Sequence, residues 1–242
     1  LADGTSNNNK DKKTMTAQYV PLNNGAHKAL KVTPGIDFSE FEKHHMLPLL
    51  VQEFLPAATS FPIIFAKNSQ SGDFQPVAIT SLKPESNCFI KDNTWTRRYL
   101  PMQCRMQPFA AGDSSQENVL IGIDVNSKHV SEDKGEALFT ETGEQTEFLK
   151  NRIEFIGNLI EYREITKQFV KTLTSHELLQ PKTLTVTNKQ GEKSNIDGLY
   201  IVDEQKLNAL SDEVKLEFAK RGVYSPVYAH LCSLNQIDLL LD

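Results

Sequence analysis

The sequence predicts an α+β protein, with an antiparallel-rich sheet from the N-terminal half packed with helices supplied mainly by the C-terminal half. Three observations predict it. Between residues 61 and 124, short β-rich apolar runs alternate with clusters of turn formers. After Gly143 the apolar residues recur at alternating spacings of threes and fours, the period of one helical face. The C-terminal stretch carries helix start and stop signals at Ser211, Gly222 and the Ser225, Pro226 pair.

Each element follows from its residues. Strands are expected at 61–67, 76–82, 88–91 and 95–100, broken by NSQSGD, KPESN and DNT, and together they read as a β-meander. The run 118–124 (NVLIGID) is almost continuously apolar, as in a strand central to its sheet. Leu149, Ile153, Ile156 and Ile160, continued by Phe169, Val170 and Leu173, define a long amphipathic helix. Thr142 with Gln145 offers a capping-box start for it, and Pro181 lies beyond its end. Residues 183–187 and 199–202 read as two strands joined through NKQGEKSN. Ser211 caps a helix with Asp212 and Glu213 in its first turn, and Gly222 stops it. Ser225 and Pro226 are an N-cap and first-turn pair opening a last helix, with Val227, Leu231 and Leu234 on one face.

Composition bounds the function. With 242 residues, 39% hydrophobic and including 13 Phe, the chain can bury a core and is expected to fold. No repeat or linker-like stretch divides it, so residues 15–242 are expected to form a single domain. Residues 1–14 (LADGTSNNNKDKKT) are polar and expected to be a disordered tail or an appended remnant, with Met15 as the natural start; a chain beginning at Leu1 after removal of a signal peptide is the alternative. A net charge of −5, without a basic, aromatic-interleaved stretch, argues against nucleic acid as a partner. The apolar runs fall far short of the ~20 residues that span a bilayer. Cys88, Cys104 and Cys232 are odd in number and lack metal-type spacing, which fits free thiols in a reducing, cytoplasmic compartment and leaves one internal disulfide open.

The usual chemical signatures are missing from the sequence. There is no glycine-rich phosphate cradle, no G-x-S-x-G elbow and no thiol-enzyme context, so no catalytic residue, cofactor or metal is predicted. His44 and His45 are adjacent, and on a helix would point about 100° apart. The stretch 124–133, with Asp124, His129, Glu132 and Asp133, lacks the glycine of a calcium loop and reads as solvated loop. His230 reads as a hydrogen-bonded structural residue of the last helix.

One constellation stands out: Trp95, Arg97, Arg98 and Tyr99, followed by Arg105 and Phe109. At strand spacing the arginines would present guanidinium forks to a carboxylate, making an anion or peptide pocket. The competing reading buries Trp95 and Tyr99 and pairs the arginines with local carboxylates. Glu53, in LLVQEF, is the acid most drawn to the interior, with Arg98 or Arg105 as natural partners. The candidate ligand-binding set is Trp95, Arg98, Tyr99, Arg105, Glu53 and His45.

Many short stretches carry a resemblance. They include Tyr19-Val-Pro-Leu-Asn, His45-Met-Leu-Pro48-Leu, Glu53-Phe54, Phe61-Pro62-Ile-Ile-Phe65, Arg98-Tyr99-Leu-Pro101 after Trp95, Arg105-Met-Gln-Pro108-Phe109, Ile123-Asp124, Gly135-Glu-Ala-Leu-Phe139, Asp197-Gly198, Val202-Asp203 and Tyr228-Ala-His230-Leu-x-Ser233-Leu. In order and spread, from about residue 15 to 240, they resemble the bacterial SapC family. The resemblance implies an accessory protein linked by name to bacterial surface layers, encoded near TonB-dependent receptors and flavin-dependent halogenase-like or cupin-like proteins. A lattice-forming subunit is not expected, because the chain lacks an acidic, Thr- and Ser-rich makeup. Two readings follow: a non-catalytic accessory protein holding a peptide or protein partner, linked to the envelope or to handling of a transported substrate; or a small-molecule-modifying enzyme whose site is assembled from Glu53, His45, Arg98, Arg105 and Asp124. The first has the cytoplasm as its expected compartment, the cell envelope as the alternative, and leaves homo-oligomerisation open.

Overall fold

A computed structural model describes residues 18–111, 120–187 and 193–240. The expected tail at 1–14, Met15, the first two residues of the 118–124 run and most of the NKQGEKSN turn lie outside the described residues.

In chain order the strands are β1 (Tyr19–Pro21), β2 (Lys31–Val32), β3 (Met46–Pro48), β4 (Ile63–Lys67), β5 (Phe74–Ile79), β6 (Ile90–Lys91), β7 (Thr94–Trp95), β8 (Phe109–Ala111), β9 (Ile121–Asp124), β10 (Val130–Ser131), β11 (Glu136–Ala137), β12 (Leu179–Thr187) and β13 (Lys193–Val202). The helices are α1 (Phe54–Ala57), α2 (Glu147–Ser175), α3 (Glu204–Asn208), α4 (Asp212–Lys220) and α5 (Tyr224–Ser233). Antiparallel sheets dominate the first half and α2–α5 the second, an α+β protein as predicted. The chain divides into two compact units, each built from two stretches: Leu1–Pro34 with Pro108–Thr146, and Gly35–Gln107 with Glu147–Asp242.

The first unit contains two small sheets, ordered β1-β9-β8 and β10-β2-β11. The apolar run before Asp124 becomes β9, the middle strand, where Ile123 faces Val20 on one side and Phe109 on the other. Asp124 is buried as a structural acceptor, its Oδ1 taking the Gln18 N–H at 2.7 Å and the Asn126 N–H at 3.1 Å. Gly135 has a φ of +112°, and a Cβ there would lie 2.5 Å from the Val32 carbonyl carbon, so only glycine lets the chain return along β2.

The second unit holds a five-stranded antiparallel sheet ordered β12-β13-β4-β5-β3. β4 and β5 form a hairpin with Ile63 opposite Ala78 and Lys67 opposite Phe74. Asn68 ties its turn, accepting the Gln70 and Ser71 N–H groups through Oδ1. One buried cluster draws on both halves of the chain: Phe54, Phe61, Ile63, Ile64 and Phe65 from the first, Phe169, Leu173, Phe218 and Val227 from the second. The Phe54 and Phe169 rings meet nearly perpendicularly at 5.8 Å, an edge-to-face contact.

Several local expectations are corrected. The meander stops at β5: the run expected at 76–82 is Phe74–Ile79, and β6 and β7 pair only with each other. Asp92 and Asn93, both with φ near +50°, make the two-residue turn between them, the conformation that matches hairpin twist. The strand expected at 95–100 ends at Trp95, because Thr96 turns both its N–H and its hydroxyl onto the Phe89 carbonyl. Thr142 does not cap α2. It sits in a turn closed by Gly143 N–H to Thr140 O, and the helix starts at Glu147. Ser225 and Pro226 lie two residues deeper in the helix than expected, as its second and third residues, since α5 begins at Tyr224 with Val223 as its N-cap. Pro226 is tolerated there because first-turn N–H groups have no helical acceptor. The Ser211 cap and the Gly222 stop are as predicted: Ser211 Oγ accepts from Val214 N–H, and Gly222 at φ +68° lets Val223 N–H reach Phe218 O and its own N–H reach Ala219 O.

Candidate functional site

Two of the residues singled out around 95–105, Tyr99 and Arg105, come together within the second unit at the carboxylate of Glu53. A short 3-10 turn, Val51–Glu53, leads into α1 and buries Glu53 to 1% exposure. Its Oε2 accepts the Leu50 N–H at 2.9 Å, closing its own turn. Its Oε1 accepts two bonds from the other side, the Tyr99 hydroxyl at 2.9 Å and the Met102 N–H at 2.7 Å. Burial raises the Glu53 pKa, against the opposing pull of these three donors and of the nearby Arg105 charge. The same burial and the Glu53 charge raise the Tyr99 phenol, which therefore serves as a donor.

The segment from Trp95 to Met102 is pinned at further points. Trp95 packs against Phe61 and Phe89 and stacks on Phe38, and its Nε1–H donates to the Tyr99 carbonyl at 2.7 Å. Tyr99 N–H reaches Ser60 Oγ at 3.3 Å. Arg105 donates from Nε and Nη2 to the Leu100 carbonyl, at 3.1 and 2.7 Å, with its guanidinium 5.4 Å from the Tyr99 ring centre. The expected Arg98 or Arg105 ion pair with Glu53 does not form. Backbone N–H groups and a phenol reach the carboxylate instead, while Arg105 acts on it through space.

Arg98 and His45 stand apart from this network. Arg98 is exposed and makes no hydrogen bond or ion pair among the described residues. The adjacent Arg97 lays its guanidinium over the Phe89 ring, 4.2 Å from the centroid, and its buried Nε has no hydrogen-bond partner. His45 is half-buried, and its carbonyl accepts the Thr80 and Ser81 N–H groups. Asp124 belongs to the other unit.

Other candidate groups are structural. His230, fully buried, accepts the Val202 N–H at Nε2 (3.1 Å), which leaves Nδ1 protonated to donate to the Ile63 carbonyl at 2.8 Å. Burial lowers its pKa to about 4. Ser233, three residues on, accepts the Ile63 N–H at 2.9 Å and donates to the His230 carbonyl, so α5 grips both backbone groups of one β4 residue. In the sequence Ser233 figured only in the stretch that carries the resemblance, with no role; its i+3 spacing from His230 was the available signal. Leu50 and Met102 act through main-chain N–H groups and left no side-chain signal. None of the three cysteines is in a disulfide, and Cys104 is fully buried with its thiol pushed up to about 12 by burial and the Glu53 charge. Among the described residues no group of His, Cys, Asp and Glu is arranged to hold a metal ion, and no helix is long and apolar enough to cross a membrane.

Fold and site together define an α+β protein in which a buried carboxylate ties down an arginine-bearing segment. The sequence profile of the SapC family matches residues 22–240, nearly the whole chain, and the protein belongs to that family. No curated protein and no solved structure matches it.

Proposed function

We propose that this SapC-family chain is a non-catalytic accessory protein that binds a carboxylate-bearing peptide or protein partner through the segment Trp95–Arg105. The observation that carries the reading is the contrast between Glu53 and Arg98. Glu53 receives three donors and is already committed to holding the fold, which disfavours a role in proton transfer. Arg98 presents an exposed, uncommitted guanidinium on a segment fixed on either side of it by the Thr96 and Tyr99 bonds. A fork held on an ordered backbone binds a carboxylate with less entropy lost than one on a loose loop. Trp95 and Arg105 brace that backbone through their bonds to the Tyr99 and Leu100 carbonyls.

Three cysteines that form no disulfide fit the cytoplasm, and the proposed partner is one of the cell envelope or a transported peptide. Affinity capture from native lysate tests the reading. Arg98→Ala is expected to lose the partner identified with wild-type bait while its melting temperature stays unchanged; equal recovery removes Arg98 from the site. Arg105→Ala is a poor probe of binding, because it also frees the Leu100 carbonyl.

A further inference from the structure

We infer that Arg152, on α2, is a second anchor of the surface that carries Arg98, and that the partner is an acidic peptide bringing a carboxylate to each. The inference rests on the binding role proposed for Arg98, and adds to it a residue from another element and the charge of the partner.

Acidic residues outnumber basic ones in this chain, 31 Asp and Glu against 26 Lys and Arg, so scarcity of carboxylates does not explain an arginine that lacks one. Two lysines of the same helix show the usual arrangement: Lys150 lies 4.0 Å from Glu147 and Lys167 lies 2.6 Å from Glu164, each acid three residues earlier. Arg152 has no such neighbour. The residues three and four positions away along α2 are Phe148, Leu149, Phe155 and Ile156, all apolar, and Arg152 forms no ion pair among the described residues. It is half-buried, and the withdrawal from water disfavours its charge. Folding has thus already stripped part of its hydration, so an arriving carboxylate gains a stronger attraction than it would at a fully solvated cation.

The guanidinium is oriented and open along the edge that matters. Its one hydrogen bond is long, from Nη1 to the Arg105 carbonyl at 3.4 Å, and its centre lies 5.5 Å from the Phe148 ring centre. Nε and Nη2 have no protein partner and neither is sealed from solvent. These two N–H groups form the side of the fork that takes a carboxylate through two parallel bonds. Arg105 has used that same edge on the Leu100 carbonyl, so Arg105 holds the backbone while Arg152 keeps its edge for a ligand.

Contacts run unbroken from Arg98 to Arg152 within the second unit. Arg98 precedes Tyr99, the Arg105 guanidinium lies 5.4 Å from the Tyr99 ring centre, and the Arg105 carbonyl takes Arg152 Nη1. Arg152 therefore stands at the C-terminal end of the segment that carries Arg98. Charge selects the occupant, because two unpaired forks on one surface fit a peptide with several carboxylates and leave one fork idle with a single carboxylate. The net charge of −5 opposes an acidic peptide at long range, so its attraction has to come from these local forks.

The test titrates the full isotope-labelled chain, at low ionic strength, with two capped peptides of equal length: one carrying a single glutamate, the other glutamate at every second position. The glutamate-rich peptide is expected to bind the wild type about fivefold more tightly and to shift the Arg98 and Arg152 Nε–H resonances together. Arg152→Gln should abolish that preference while single-glutamate binding stays within about twofold of wild type. Arg163→Gln removes an equal charge from an exposed position of the same helix and should leave the preference intact. Equal affinity for the two peptides, a preference that survives Arg152→Gln, or one lost equally in Arg163→Gln overturns the inference and leaves the role of Arg98 standing. Binding of both peptides that ignores Arg98→Ala removes that role and this inference with it. The wild-type resonances decide independently of any folding defect in the variants: an Arg152 Nε–H unmoved at saturation with the glutamate-rich peptide overturns the second anchor.

Discussion

Acidification from pH 7 to pH 4 is expected to weaken the second unit by roughly 3 kcal/mol through His230 alone. The ring lies between β4 and β13 with both nitrogens engaged, Nε2 accepting from Val202 N–H and Nδ1 donating to Ile63 O. Protonating Nε2 puts a donor against the Val202 N–H and a charge in the core beside Phe65. The ring's pKa falls from 6.5 to about 4 on folding, so the unfolded chain takes the proton first. The stability it contributes is therefore complete above about pH 6.5 and drains away as the pH falls toward 4. At about 1.4 kcal/mol per pH unit over that window, the loss approaches 3 kcal/mol at the lower end. Urea unfolding followed through Trp95, the sole tryptophan, measures it in steps between pH 8 and pH 4. The comparison is His230→Asn, whose amide can keep the Ile63 bond but has no group that titrates in this range. The variant should be less stable at neutral pH, and its deficit should shrink by about 3 kcal/mol on acidification. Parallel profiles for the two proteins would refute the latch.

Glu53→Ala strands two backbone N–H groups and a phenol in the interior, and should cost about 3–5 kcal/mol in the same assay; Glu53→Gln, which keeps one acceptor oxygen, should cost about 1–2. A loss below 1 kcal/mol for the alanine variant would mean that water reaches those donors. With a disulfide-exchange reagent at pH 8, Cys232 should react in the native state and Cys104 only after unfolding, since the Cys104 thiol is fully buried with its pKa pushed up to about 12. Fast native labelling of Cys104 contradicts that burial. Gly135→Ala should destabilise the first unit by about 1–3 kcal/mol or more, from the positive φ and the clash with Val32, and a neutral thermal melt would show that the return along β2 is looser than described.

What the sequence reveals and what it hides follow one rule. Elements with a buried side were legible: β4, the α2 stripe from Leu149 to Leu173 and the α4 caps all carry apolar period or cap chemistry. The outer end of β12 was legible as a strand at 183–187, whereas its inner end at 179–182 and the start of β13 were not, because Pro181 read as a helix-ending signal and Lys193, Ser194 and Asn195 read as turn. The segment after Trp95 looked like strand from its composition, yet its backbone is held by tertiary bonds to Phe89, Ser60 and Glu53 that no local pattern encodes. Burial of Glu53 was legible from its apolar neighbours. Its partners were not, because two of the three are main-chain N–H groups. No change of composition at Pro34, Gln107 or Thr146 marks where the chain passes between its two units, because each is assembled from segments far apart in sequence.

The most direct test of the functional claim is a titration of isotope-labelled protein with short peptides bearing a free carboxylate, read by amide and arginine side-chain resonances. The account predicts that shifts concentrate on Thr96–Leu100 and on the Arg98 guanidinium, and that Arg98→Ala abolishes them without disturbing the Glu53-linked amides of Leu50 and Met102. Binding that perturbs another surface, or that survives Arg98→Ala unchanged, would contradict it.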